Sequence, residues 1–376
     1  MPLRFTTFLA LACVFSMPLQ PGLTLAQESS KQESSATVSD EKQQSQSLRV
    51  VAVHPRQVNA TLVQKWSKLN YEFALVIEDA GDETQAAIKR IVQSTGQVDY
   101  LFEVARSPQM AKKHPEWMAS IQGHHEWMRH HKEIRKPGKD EVVKVFPWVP
   151  IFSREPFAAH VNRISELIKD LPAPRRVWLN NIQGAPSACG CGHPLCRWTS
   201  DYGPLQSTTP IGNEAPAQFV EQVKKRAKLN NVIPILTSEC EAEDQHTVCG
   251  GVGCFKGICW KAFTAQLDAV AKETKHVGVA CFYKALQRDL PRYKEKAGWI
   301  RYAVESFEKM PRVRNGRGLK ADRLVPVLQG WNVSDEELQQ QLLVAERLKP
   351  AGIMICLAKL DQSWSPQIIP WKPNKK

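Results

Sequence analysis

Short apolar runs alternate with amphipathic stretches from residue 48 onwards, and this alternation constrains the fold more than any other feature of the sequence. Several runs are apolar at consecutive positions, which is typical of strands buried on both faces of a parallel sheet. Helical periodicity marks many of the intervening stretches, and one of these begins with a capping box at Ser334 and ends before Pro350. Nine runs have the length and composition of β-strands: residues 50–53, 73–77, 100–102, 145–149, 177–179, 232–236, 277–281, 325–328 and 353–357.

This order of elements predicts an α/β fold in which helices connect parallel strands. The length of the segment 48–376 fits one closed (β/α)8 barrel of the TIM type, which needs ~250 residues plus insertions. Such a barrel has eight strands, so one of the nine runs must lie outside it. The alternative is an open doubly wound sheet, which is disfavoured because no Gly-x-Gly-x-x-Gly segment follows the first run.

The N-terminal segment has the three parts of a secretory signal peptide. Arg4 precedes an apolar stretch at residues 5–14, and Thr24-Leu25-Ala26 provides a small-residue cleavage site before Gln27. A transmembrane anchor is the alternative, but a spanning helix needs ~20 apolar residues and this stretch is shorter. The sequence therefore predicts export to the periplasm or to the exterior, with no membrane segment left after cleavage.

The expected organisation has three parts. Residues 1–26 form the signal peptide, and residues 27–47 contain almost no side chains that can be buried, which predicts a solvated, disordered linker. Residues 48–376 are long enough to bury a full core and form a single domain.

Seven of the ten cysteines form two clusters, and each cluster directly follows a predicted strand. The strands are the runs 177–179 and 232–236. If these strands are neighbours in a parallel sheet, both loops lie at its carboxyl edge, where folds of this class place their sites. The sequence thus predicts two long cysteine-rich loops, which contain Cys189, Cys191 and Cys196 in the first and Cys240, Cys249, Cys254 and Cys259 in the second.

Disulfide bonds are the favoured role for these seven thiols, because an exported chain meets oxidising conditions and each bridge stabilises by ~2–4 kcal/mol. The seventh thiol stays free or pairs with Cys281. A zinc site at Cys189, Cys191, His193 and Cys196 is the first alternative, although Cys-x-Cys is not the preferred zinc spacing. An iron–sulfur cluster is the second. We expect no metal or cofactor, with zinc as the alternative, and a buried core position for Cys356.

Acidic side chains stand at several predicted strand ends. Glu103 and Glu239 end the third and sixth runs, so their carboxyl groups could face each other across a barrel mouth. Hydrolysis of a glycosidic bond needs one protonated and one ionised carboxyl group. Glu103 and Glu239 are therefore the candidate catalytic pair, with Glu78 and Asp79 as substitutes. The alternative for any one of these acids is a solvated loop position or a helix cap.

Further polar and aromatic residues at the strand ends are candidates for substrate binding. Indole faces pack on sugar rings, so tryptophans in long loops suit a carbohydrate cleft. In the insertion after the third run, the tryptophans could instead pack a lid helix on the barrel, and the histidines at 124, 125, 130 and 131 could bind a metal. The candidate substrate-binding residues are His54, Trp117, Trp127, Asn180, Asn181, Lys284 and Trp331.

On these features the chain resembles, in architecture, exported (β/α)8 proteins of the glycoside-hydrolase type. The resemblance rests on the alternation, the insertion with His114-Pro-Glu-Trp117, the strand-end acids and Trp331 after a late strand. It implies a carbohydrate substrate or glycan, and it assigns no catalytic residue, since the cysteine loops match no family signature. The alternatives are a non-catalytic barrel that binds a glycan or a protein partner, and a Cys/His metal-site protein.

The formal net charge is +12, and the basic residues are scattered along the chain. No aromatic-interleaved basic stripe and no nucleic-acid motif is present, so the basic residues predict solvated helix faces. We expect no nucleic-acid partner and a monomeric chain.

Overall fold

The structure is a computed structural model that describes residues 47–120, 132–183, 214–237, 260–282, 297–313, 316–360 and 363–370. All of these residues belong to one compact unit, Gln46–Lys376. In chain order, the strands are β1 (Leu48–Val53), β2 (Glu72–Val76), β3 (Asp99–Glu103), β4 (Ala119–Ser120), β5 (Glu141–Phe146), β6 (Val177–Asn180), β7 (Val232–Leu236), β8 (Val277–Cys281), β9 (Leu324–Gln329), β10 (Gly352–Cys356) and β11 (Ser365–Pro370).

Helices follow most of the strands. Ser334 begins one of them with the predicted capping box, because its hydroxyl accepts a hydrogen bond from the Glu337 amide at 3.2 Å and its own amide donates to the Glu337 carboxylate at 2.8 Å. In the described ranges, no helix is long and apolar enough to cross a membrane. The α-helices are α1 (Ala60–Lys68), α2 (Asp82–Thr95), α3 (Pro108–Lys113), α4 (Arg154–Asp170), α5 (Ala215–Ala227), α6 (Trp260–Glu273), α7 (Gly298–Val313) and α8 (Asp335–Arg347), and single 3-10 turns lie at Pro55–Gln57, Pro115–Trp117 and Ala321–Arg323.

The eight strands β1, β2, β3, β6, β7, β8, β9 and β10 form a closed parallel barrel in chain order, which confirms the predicted TIM-type architecture. The barrel closes where β1 pairs with β10. Gly352 lies opposite Leu48 there, and a Cβ atom at position 352 would lie 2.3 Å from the Leu48 Cβ and 2.4 Å from its carbonyl oxygen. Closure at this point therefore requires a glycine.

Residues 145–149 are the surplus run. They lie in and after β5, which joins β4 and β11 in a three-stranded antiparallel sheet outside the barrel. Because this run is not a barrel strand, β6 alone separates β3 from β7. The expectation that Glu103 and Glu239 follow strands three apart was therefore wrong, since the strands that they follow are two apart.

Both faces of the barrel strands are buried, as their apolar runs predicted. In β1, Val50 and Ala52 belong to the cluster inside the barrel, whereas Val51 and Val53 belong to the cluster between the strands and the surrounding helices. The interior cluster contains three large aromatic side chains, Trp178, Phe282 and Trp331, of which Trp178 is fully buried.

An ion-pair network binds the amino ends of β2, β3 and β6 together. The fully buried Asp99 accepts hydrogen bonds from Arg175 Nε at 2.9 Å, from Arg176 Nε at 2.8 Å and from Trp178 Nε1 at 3.0 Å. Both guanidinium groups also bind Glu72. This end of a barrel is associated with stability, because sites occupy the opposite end.

We predict that Asp99→Ala lowers the free energy of unfolding by about 3–5 kcal/mol, because the indole N–H of Trp178 loses its acceptor and the two guanidinium groups keep only the more exposed Glu72. The matched control is Glu305→Ala, which removes the surface ion pair with Lys309 on α7 and should cost less than about 1 kcal/mol. Chemical denaturation measures both values. Equal losses in the two variants would contradict a structural role for the network.

Candidate functional site

Glu103 stands at the carboxyl end of β3, opposite Asn180 at the end of β6. The Asn180 side-chain amide donates a hydrogen bond to Glu103 Oε1 at 2.7 Å, and the Asn181 amide donates to Oε2. Asn181 has a φ of 59°, a left-handed conformation that asparagine tolerates better than most residues. Two consecutive asparagines therefore bind both oxygens of one carboxyl group.

Two arginines lie near this carboxyl group. Arg163 of α4 donates to the backbone carbonyl oxygen of Glu103 at 3.1 Å, and Arg106 acts on the carboxyl group through its charge. Glu78, which is exposed just after β2, contributes a negative charge to the same region. The mouth thus combines two acidic side chains and two guanidinium groups.

Burial raises the pKa of Glu103 to about 7, although hydrogen bonds from Asn180 and Asn181 and the charge of Arg106 act in the opposite direction. The negative charge of Glu78 adds to the increase. The side chain stays partly accessible at the mouth. A carboxyl group with a pKa near neutrality can donate and accept a proton at physiological pH, which is the property of a general acid or base.

His54 follows β1 at the same mouth, and its Nε2 atom lies 3.4 Å from the carbonyl oxygen of Lys359. Burial lowers the pKa of His54 below its usual value, so the ring is neutral at physiological pH. Asp79, a substitute for the catalytic pair, accepts hydrogen bonds from the Gly81 amide at 2.8 Å and from the Thr84 hydroxyl at 3.4 Å. These bonds hold the Asp79 carboxylate at the start of α2, whereas the Glu78 side chain forms no hydrogen bond among the described residues.

The described candidate tryptophans occupy two different surroundings. Trp331 is 8% exposed and packs against Phe282, with ring centroids 4.9 Å apart, in the cluster inside the barrel. Trp117 is partly accessible, and the His114 ring stacks on it at 3.8 Å. One face of the Trp117 indole is therefore covered within the protein, and Trp331 is almost fully buried.

Several predicted site residues lie outside the described residues, and their roles stay predictions. The strands before the two cysteine clusters, β6 and β7, are parallel neighbours in the barrel, so both loops begin side by side. The residues concerned are Trp127, Glu239, Lys284, the zinc candidate His193, and Cys189, Cys191, Cys196, Cys240, Cys249, Cys254 and Cys259.

Cys281 and Cys356 are free, buried thiols, so Cys281 takes no part in a disulfide. Cys356 lies inside the barrel, as predicted for a core residue, and its thiol donates to the Ala358 carbonyl oxygen at 3.2 Å. Burial raises the pKa of both thiols above the usual value, which keeps them protonated and unreactive. Within the described ranges, no group of three or more His, Cys, Asp or Glu side chains could hold a metal ion.

The sequence did not reveal the polar residues of α4 that contact the backbone near the mouth. Arg163 and the fully buried His160 lie on α4, and His160 Nε2 contacts the Val149 carbonyl oxygen at 2.8 Å. The sequence does contain an indication of this, because positions 160 and 163 adjoin the apolar stripe of α4, where a polar side chain faces the core. The side chain of Gln183 accepts a hydrogen bond from the Thr237 amide at 2.6 Å, and it thereby links the segments that follow β6 and β7.

We predict that Glu103→Gln removes a pH dependence of stability. The folded-state pKa of Glu103 is raised from 4.5 to about 7, so the folded protein holds this proton more tightly than the unfolded chain does. Wild-type stability should therefore fall by up to about 3 kcal/mol as the pH rises through this window, whereas the variant should not show this loss. Chemical denaturation at about pH 5 and about pH 8 measures the difference. Identical pH profiles would contradict the assignment.

For the cysteine clusters we predict about three or more disulfide bridges when the protein is produced in an oxidising compartment, and no bound metal. Intact-mass analysis after alkylation, with and without reduction, counts the bridges. The buried thiols of Cys281 and Cys356 should react only after denaturation, which provides an internal control. Stoichiometric zinc or iron would instead make the clusters a metal site.

No protein-family model matches the chain, and no curated protein matches its sequence. The (β/α)8 barrel hosts many unrelated activities, so the fold alone does not identify a reaction. Function therefore has to be inferred from the chemistry of the mouth, where the described residues bring together Glu103, Asn180, Asn181, Glu78 and His54.

Proposed function

We propose that the chain is an exported glycoside hydrolase in which Glu103 transfers the proton to the oxygen of the leaving group. The observation that supports this role is the pKa of Glu103, raised to about 7 at the mouth of the barrel. Cleavage of a glycosidic bond requires one carboxyl group that is still protonated at the working pH. Of the two roles in such a pair, the raised pKa favours the acid for Glu103.

The asparagine pair supports a proton cycle at Glu103. After the carboxyl group has lost its proton, the amides of Asn180 and Asn181 donate to its two oxygens and stabilise the carboxylate. Burial favours the protonated form and outweighs these hydrogen bonds, which brings the pKa of Glu103 to about 7, so both forms are populated near neutral pH. A group with this balance can give up its proton and then recover it from water.

The second carboxyl group in this proposal is Glu239, which follows β7, and Glu78 is the alternative. Glu78 follows β2, the immediate neighbour of β3, and it is exposed to the solvent. A separation of ~5–5.5 Å between the two carboxyl groups would imply retention of the anomeric configuration, and ~6.5–9.5 Å would imply inversion. Substrate binding is assigned to His54, Lys284 and the tryptophans at 117, 127 and 331.

A non-catalytic barrel that binds a glycan or a protein through the same mouth is the second candidate. The hydrogen bonds to Glu103 favour it, because both carboxyl oxygens already have amide partners within the protein. The burial of Trp331 against Phe282 points the same way, since it leaves little of this indole for a sugar ring. A Cys/His metal-site protein is a further alternative, and it depends on the cysteine clusters alone.

We predict that Glu103→Gln lowers kcat on a responsive polysaccharide by about 100-fold or more, because the general acid is lost. In the wild type, kcat/KM should fall as the pH rises through about 7, where Glu103 loses its proton. Asn180→Ala should move this fall to a higher pH, because it removes a hydrogen bond that favours the ionised form. A merely structural role for Asn180 would not move the pH profile.

Single Glu→Gln variants at positions 239 and 78 identify the second carboxyl group, and Glu336→Gln on the exposed surface of α8 is the matched control. Hydrolysis that survives Glu103→Gln unchanged would refute the proposed role. If no polysaccharide in a broad panel is cleaved but one binds, and Trp117→Ala weakens that binding, the non-catalytic candidate takes its place.

A further inference from the structure

A groove with a volume of about 1080 Å³ runs between α1 and α8 on the outside of the barrel. Trp66, Tyr71 and Leu357 line it, and all three belong to the apolar core or pack against it. Leu69 and Leu343 also line the groove, and with exposures of 51% and 53% they are the large hydrophobic residues that the described chain leaves in the solvent. The groove thus has an apolar floor and an exposed leucine from each side.

The groove lies where a complete (β/α)8 barrel would place its last helix. Each strand of such a barrel is followed by a helix, but the described chain after β10 continues into β11, which pairs with β5. Neighbouring helices pack together from α4 through α8, and α1 packs on α2. Within the described ranges, the ring of helices is thus open between α8 and α1.

The two walls of the groove carry opposite charges. On the wall formed by α1, the charged residue that lines the groove is Lys65, and α1 contains no acidic residue. On the opposite wall, formed by α8, the charged residues that line the groove are Asp335 and Glu346. A partner of one charge would be attracted to one wall and repelled by the other.

We propose that a second copy of this chain fills the groove, in a two-fold symmetric dimer in which α1 of one copy packs on α8 of the other. In a two-fold symmetric dimer the same contact occurs twice, with α1 of each copy against α8 of the other. Both basic walls then meet acidic walls, and all four exposed leucines are buried. This dimer replaces the monomer expected from the sequence, and it is independent of the proposed hydrolase activity.

Charge reversal tests this arrangement. The acidic variant Thr61→Glu/Lys65→Glu and the basic variant Asp335→Lys/Gln339→Lys each change two residues that line the groove. In either variant alone, walls of like charge meet in the dimer, so we expect the dissociation constant to rise by about 10-fold or more. An equimolar mixture of the two variants should form a heterodimer, because opposite charges then meet at both contacts. Sedimentation velocity from about 1 to about 100 µM detects all of these species.

Matched controls carry the same charge changes on neighbouring positions of the same helices. Gln64→Glu/Lys68→Glu and Glu336→Lys/Gln340→Lys alter residues that do not line the groove, so they should leave the dimer intact. Circular dichroism shows whether each variant is folded. A wild-type chain that stays monomeric up to about 100 µM overturns the proposal. A dimer that both groove variants leave unchanged, or a mixture that fails to associate, overturns it as well.

Discussion

Closure of the parallel barrel is the constraint on which the rest of the structure depends. Pairing of β1 with β10 leaves no free strand edge in the barrel, and it depends on a glycine at position 352, where any side chain would collide with Leu48. A closed barrel buries both faces of each strand, which explains why alternate residues of β1 belong to different apolar clusters. It also places the carboxyl ends of β2, β3 and β6 together, and so brings Glu78, Glu103 and Asn180 to one mouth.

The buried acidic side chains at the two ends of the barrel have different hydrogen-bond partners. At the amino end, Asp99 accepts hydrogen bonds from two arginine side chains and an indole, and a carboxylate so surrounded contributes to stability. At the carboxyl end, Glu103 receives neutral amide donors, and burial raises its pKa to about 7. The difference lies in the partners. Asp99 pairs with charged guanidinium groups, whereas the hydrogen bonds to Glu103 come from neutral amides and do not offset the burial that raises its pKa.

Strand–helix alternation was sufficient to predict the barrel, because a strand that is buried on both faces has a recognisable apolar run. It could not identify the surplus run at 145–149, since β5 buries Val143 and Val145 in a small cluster of its own and looks equally apolar in the sequence. Its partner β11 lies far along the chain, and no local pattern reveals a pairing at that distance. The same limit applies at the site. Glu103 is visible as a strand-end acid, but the two asparagines that bind it and Arg163 behind it become its neighbours only through the fold.

The candidate site and the groove are linked by the path of the chain after β10. Instead of forming a helix over the barrel, this segment continues to β11 and completes the sheet with β4 and β5. Two strands of that sheet, β4 and β5, lie in the insertion after β3, the strand that ends in Glu103. One segment therefore supports the insertion beside the site and leaves the last helix position open between α8 and α1. In the proposed dimer a second copy covers that position from the side of the barrel, so each mouth, at the carboxyl end of the strands, stays open.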